Sequence, residues 1–144
     1  MPVPTQVYWP RQGAEAAKGM NTGHAIILFA HGARDARWAA PLQQLQSALT
    51  RARPTTSVQL AFLELQRPSL AEALAILTAA GCRHIDIAPI FWSQGGHTAQ
   101  ALPALVRDFA AHESRVSVRV LPVLSELPGM HEFVARAILS QAQP

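Results

Sequence analysis

The stretch Ile26-Ile27-Leu28-Phe29-Ala30-His31-Gly32-Ala33-Arg34-Asp35 decides how the chain is read. An apolar run rich in isoleucine stops abruptly at a histidine, a glycine and two opposite charges. A short run of this kind suits a strand covered on both faces, as in a parallel sheet. An imidazole at its carboxyl end lies where open α/β sheets gather their ligands, and Gly32 lets the backbone turn close beside it.

Apolar runs alternate with amphipathic segments from His24 onward, the pattern of successive βαβ units. Strands are expected at 25–30, 58–63, 85–90 and 116–121, the last an alternating edge strand. Trp38, Leu42, Leu45 and Leu49 recur at helical spacing and are expected to share one buried face, with Pro41 in or just before the first turn. Ser69 with Glu72 three residues on makes a capping box for a second helix, with Leu70, Leu74 and Leu77 as its inner stripe and Gly81 at its C-cap. Leu102, Leu105, Val106 and Phe109 describe a third helix with Pro103 near its beginning. A closing helix at 128–140 carries Met130, Phe133, Ala137 and Ile138. The expected fold is α/β: three layers, α/β/α, around a four-stranded parallel sheet, with one domain over 24–144.

Composition agrees with a folded domain. Of 144 residues 49% are hydrophobic and 15% charged, which excludes disorder for most of the chain. Twelve basic against nine acidic side chains give +3, a mild bias toward an anionic small molecule. No cluster of Lys and Arg interleaved with aromatics argues for nucleic acid. The single cysteine, Cys82, forms no internal disulfide and implies a reducing compartment. No apolar run is long enough to cross a bilayer, and residues 1–20 hold Pro2, Pro4, Pro10, Arg11 and Lys18 without the apolar core of a signal peptide. A cytoplasmic protein with no membrane partner is expected. Residues 1–23 lack periodicity and read as a flexible extension; a start codon assigned too early explains them equally well.

In a parallel sheet the strands end at one edge, so His31, Glu64 and His97 are expected to converge there. Two imidazoles and a carboxylate are suitable ligands for a divalent first-row metal, and an imidazole accepts a proton near neutral pH. Gly95 and Gly96 allow a flat ligand to approach the backbone beside His97. Each residue has a plainer reading. His31 can end a strand by bonding a carbonyl, Glu64 can pair with Arg67, and His97 can simply start a helix. Arg34 and Asp35 can form a local ion pair or cap. His24 and His84 lie at the opposite edge, and His112 and His131 fall on helices. Trp38 and Trp92 read as core, and Cys82 as packing.

Three motifs together are more specific. Residues 28–35, then Leu60-Ala61-Phe62-Leu63-Glu64-Leu65 with Pro68-Ser69-Leu70, then Pro89-Ile90-Phe91 with Gly95-Gly96-His97 and Leu102-Pro103-Ala104-Leu105-Val106, occur in order at the expected separations. Over about residues 25–122 the chain resembles the small CbiX/SirB-type sirohydrochlorin chelatases. The resemblance implies a class II tetrapyrrole chelatase that inserts Co²⁺, Fe²⁺ or Ni²⁺ into sirohydrochlorin without ATP, on the route to cobalamin or siroheme. It maps the family's metal-site histidines onto His31 and His97 and its acidic residue onto Glu64. It implies no permanently bound cofactor, the metal being substrate, and a homodimer with the cleft between subunits.

Sirohydrochlorin carries eight carboxylates, so Arg34, Arg37, Arg67 and the start of the third helix are candidate anion contacts. Departures from the family pattern are Ala33 in place of a serine, Thr98-Ala99-Gln100-Ala101 in place of a charged segment, and Leu127-Pro128 in place of a His-Pro pair. They leave open a non-catalytic metal- or tetrapyrrole-binding paralogue. A flavin-binding reading is disfavoured because the turn after the first strand lacks a hydroxyl- and glycine-rich phosphate loop.

Overall fold

β1, His24–Ala30, is buried on both sides. Ala25, Ile27 and Phe29 point to one face and Leu28 to the other, all at 1% exposure or less. This is why the run shows no polar alternation. The computed structural model describes residues 23–144, apart from the side chains of residues 97–99. The expectation of a flexible extension at 1–23 falls, for residues 1–22, outside the described residues.

β2 is Ser57–Phe62, β3 His84–Pro89 and β4 Ser117–Val120, all parallel, in the order β2-β1-β3-β4. The helices are α1, Ala40–Ala52; α2, Leu70–Ala79; α3, Gly96–His112; and α4, Met130–Gln141. α1 covers one sheet face, where Leu28, Leu42, Val58, Leu60 and Phe62 cluster. α2 and α3 cover the other, with Leu70, Leu74, Leu77 and Leu102 against Ile27, Phe29, Ile85 and Ile87. The three-layer α/β fold is as the sequence implies. Among the described residues no helix is long and apolar enough to cross a membrane.

The capping box is formed, with the Glu72 N–H donating to Ser69 Oγ at 3.2 Å and the Ser69 N–H to Glu72 Oε1 at 3.3 Å. Three expectations need correcting. Trp38 is not on the inner stripe of α1: Pro41 marks the first turn of that helix, so Trp38 falls in a preceding 3-10 turn, Ala36–Ala39, and is 74% exposed. Trp92 is not core either, at 47% exposed. Pro103 lies inside α3 rather than near its beginning, because the helix already starts at Gly96.

α4 forms where the periodicity places it, yet it buries none of its residues; Phe133, Ile138 and Leu139 are each more than 60% exposed. It packs mainly on a short 3-10 turn, Leu124–Glu126. A polar trio spans β1, β3 and β4. His24 Nε2 lies 2.7 Å from Asp86 Oδ2, and Arg119 Nε donates to Asp86 Oδ1 at 2.8 Å. Burial pushes the Asp86 carboxyl up, but the bonds from Arg119 and His24 outweigh it and hold the group below its ordinary value. That accounts for an aspartate within an otherwise apolar strand.

Candidate functional site

The strand order places a switch point between β1 and β3: the chain leaves β1 toward β2 on one side and returns to β3 on the other. In open α/β sheets ligands bind outside the carboxyl ends of the strands at such a point. His31 directly follows β1 there. The β1–β2 ladder runs on past both strands, with the Leu63 N–H donating to the Ala30 carbonyl at 2.9 Å and the Glu64 N–H to the His31 carbonyl at 3.1 Å. Glu64 is thereby carried alongside His31, and His31 Nε2 lies 3.0 Å from Glu64 Oε1. Both side chains are more than half exposed, at 60% and 55%, so the pair is accessible to a ligand.

Gly32 makes this approach possible. It adopts φ +94, and a Cβ there would stand 2.0 Å from the Glu64 carbonyl oxygen. The facing turn is equally tight. The Gln66 N–H donates to the Glu64 carbonyl at 2.8 Å across Leu65, which takes φ 66. The Gln66 side chain crosses back, its Oε1 accepting the Ala33 N–H at 3.1 Å. Gln66 was not among the residues singled out from the sequence. Its contact spans 33 positions, so no local pattern announces it.

Beside His31 lies a cavity of about 560 Å³ between α1 and the strand ends. Its walls are mostly apolar, among them Trp38, Leu42, Leu45, Phe62 and Ile90, with His31 and Gln66 as polar members.

Of the remaining expected residues, His97 is the second residue of α3, the helix that starts beyond the end of β3; its side chain is not described. Gly95 is the N-cap of α3 and supplies no side-chain cap, and a Cβ at Gly95 or Gly96 would meet nothing within 4 Å. Packing therefore does not demand glycine at either position.

The arginines separate. Arg37 is engaged with Asp35, which also caps the 3-10 turn, and Arg67 with Glu72. The guanidinium in each case holds its partner carboxyl below the ordinary value. Glu64 does not pair with Arg67. Arg34, exposed beside the His31 turn, makes no ion pair among the described residues and stays available to an anion.

Trp92, in the loop before α3, meets His131 of α4 edge to face at 5.5 Å. The same loop is held from below, its Phe91 and Trp92 carbonyls accepting the N–H groups of Leu124 and Ser125 at 2.9 and 3.0 Å. Among the described residues no three His, Cys, Asp or Glu side chains gather as a closed metal cage.

A parallel sheet with an accessible histidine–carboxylate pair at its switch point, next to an apolar cavity, defines a doubly wound α/β domain. The family can be stated more narrowly: the CbiX family model matches residues 25–141, and the chain belongs to the CbiX family. A sirohydrochlorin cobaltochelatase of Methanococcoides burtonii is 25% identical over 121 residues, covering 81% of this chain and 92% of that protein. Another, from Saccharolobus islandicus, is 30% identical over 81 residues, 56% of this chain and 62% of its own length.

Among solved structures, a cobalamin-biosynthesis CbiX protein from Marinobacter aquaeolei VT8 superposes with a TM-score of 0.71 at 24% identity, covering 82% of this chain and 96% of that one. Bacillus subtilis SirB with Fe³⁺ superposes with a TM-score of 0.70 at 17% identity, covering 84% of this chain and 48% of SirB. The chain thus spans about half the length of SirB.

Proposed function

We propose that this protein inserts a divalent metal into sirohydrochlorin without ATP, cobalt being the leading candidate and Fe²⁺ and Ni²⁺ the alternatives. The observation that carries the reading is the accessible His31–Glu64 pair, 3.0 Å apart at the switch point and beside an apolar cavity. The substrate named for the curated relatives agrees with it.

Insertion requires the metal to shed water, two pyrrole N–H protons to leave, and the ring to be held while bonds exchange. When Nε2 of a neutral His31 carries the proton facing Glu64, Nδ1 has a free lone pair for the incoming metal or for a pyrrole proton. Glu64 lies within proton-transfer reach and takes up the charge. In this reading His97 supplies the second imidazole, and the metal is a substrate held loosely by few donors, as release into a macrocycle demands. Arg34 and the uncapped start of α3, at Gly95 and Gly96, face the ring's carboxylates. The working form in this proposal is a cytoplasmic homodimer with the cleft between subunits. Two facts support the dimer: one copy spans 48% of SirB, and α4 exposes Phe133, Ile138 and Leu139.

An anaerobic assay following the macrocycle's absorbance with Co²⁺, Fe²⁺ and Ni²⁺ tests the proposal. Insertion well above the rate in buffer, lost in His31→Ala and His97→Ala, is expected. No acceleration for any metal, or unchanged rates in both variants, would sink it. A second reading, a binding protein without turnover, draws on Ala33, Ala101 and Leu127, apolar positions where the resemblance to the family implies polar ones. It predicts tight binding of metal or macrocycle and no product.

A further inference from the structure

We propose that Gln66 is a substrate-binding residue, whose side-chain NH₂ donates to a carboxylate of the ligand in the cavity beside His31 while its Oε1 holds the His31 turn in place. The identity of that ligand as a polycarboxylate macrocycle rests on the chelatase reading; the donor role requires that the macrocycle bind, not that metal be inserted.

The orientation of the amide is set by its partner. The Ala33 N–H can only donate, so the end of Gln66 that meets it at 3.1 Å is the oxygen. The NH₂ end must then point elsewhere. It makes no hydrogen bond among the described residues, although Gln66 is partly buried and lines the cavity.

The backbone is arranged to put this side chain there. Leu65 takes φ 66, a conformation L residues other than Asn and Asp rarely adopt, and the residue is 52% exposed, so it is not held there by full burial. What the turn achieves is the placement of Gln66, through its N–H on the Glu64 carbonyl and its Oε1 on Ala33. Strained backbone beside a reactive pair is a recurrent mark of a functional turn.

The cavity supplies the remaining step. Trp38, Leu42, Leu45, Phe62 and Ile90 can hold the face of a flat ring, but their side chains offer its acidic rim no N–H other than the indole of the largely exposed Trp38. Apolar pockets orient their ligands through a few placed polar groups, and Gln66, on the cavity wall with its NH₂ uncommitted among the described residues, is the donor we assign to that use. Ala33 has no hydroxyl to share the task.

Gln66→Glu separates the two roles, because it keeps an oxygen for the Ala33 N–H but replaces the donor by a negative charge. Gln66→Met removes both. Metal-free sirohydrochlorin is titrated into each protein and followed by Trp fluorescence, and steady-state insertion is measured in parallel. For Gln66→Glu, macrocycle affinity weakened about tenfold or more is expected, with KM for the macrocycle raised alike, kcat within twofold and KM for the metal unchanged. For Gln66→Met, kcat should fall as well. Unweakened macrocycle binding in Gln66→Glu overturns the proposal, as does a loss confined to kcat. If the unsubstituted protein binds the macrocycle, Gln66→Glu weakens that binding, and no metal is inserted, the chelatase reading fails and the donor role stands. If the unsubstituted protein does not bind it at all, the donor role falls.

Discussion

Replacing Gly32 by alanine tests whether the site depends on the close approach of its two loops. A Cβ on Gly32 would lie 2.0 Å from the Glu64 carbonyl oxygen, which must then retreat by about 1.4 Å to reach ordinary contact. That oxygen cannot move alone. It accepts the Gln66 N–H at 2.8 Å, and the Glu64 N–H is bonded to the His31 carbonyl at 3.1 Å. Alanine at φ +94 adds backbone strain of about 1–2 kcal/mol. Strain and displacement together should destabilise the fold by about 2–4 kcal/mol. The His31–Glu64 pair is more than half exposed, so losing it costs stability at most about 1 kcal/mol. Its displacement should appear in the rate instead, and a misplacement of this size lowers insertion roughly a hundredfold. Urea unfolding measures the first quantity and anaerobic single-turnover absorbance the second. A Gly32→Ala protein with unchanged midpoint and a rate within twofold would refute the reasoning.

Phe133→Asp with Ile138→Asp should yield monomers by sedimentation while far-ultraviolet dichroism stays near that of the parent; unchanged dimers would exclude α4 from the interface. The Asp86 carboxyl is held below its ordinary value in the fold, so its contribution is present above the unfolded value of about 3.9 and is lost as pH falls through the folded one. Urea midpoints should therefore drop more steeply between pH 5 and 3 in the parent than in Asp86→Asn, and parallel curves would contradict this. Gln59, 2% exposed, buries Oε1 without a hydrogen-bond partner among the described residues. Gln59→Met should leave the thermal midpoint unchanged or raise stability by about 1 kcal/mol, whereas a clear loss would reveal a partner for that oxygen.

The fold was legible where one physical signal dominated. A doubly buried strand shows as an unbroken apolar run, and the capping box at Ser69 and Glu72 is local chemistry confined to four residues. His31 and Glu64 could be brought together because parallel strands share a carboxyl edge. Trp38 misled because it keeps helical spacing to Leu42 while standing before the first turn that Pro41 marks, where the 3.6-residue phase no longer applies. Periodicity likewise told that α4 forms but not what its apolar face meets, since a pattern reports a face and never its partner. Gln66 was invisible for a different reason: its role depends on a turn with positive φ at a leucine and on a loop 33 positions away.

The bonds from Leu124 and Ser125 to the Phe91 and Trp92 carbonyls, with Trp92 resting on His131, join α4 mechanically to the loop that leads to His97. Two elements tied in this way share one conformational equilibrium. Whatever docks α4 also biases the loop, and by thermodynamic reciprocity a macrocycle or metal that favours one loop arrangement strengthens the docking of α4 by the same factor. In the proposed homodimer, association of copies and occupancy of the site would be two readouts of a single coupling free energy.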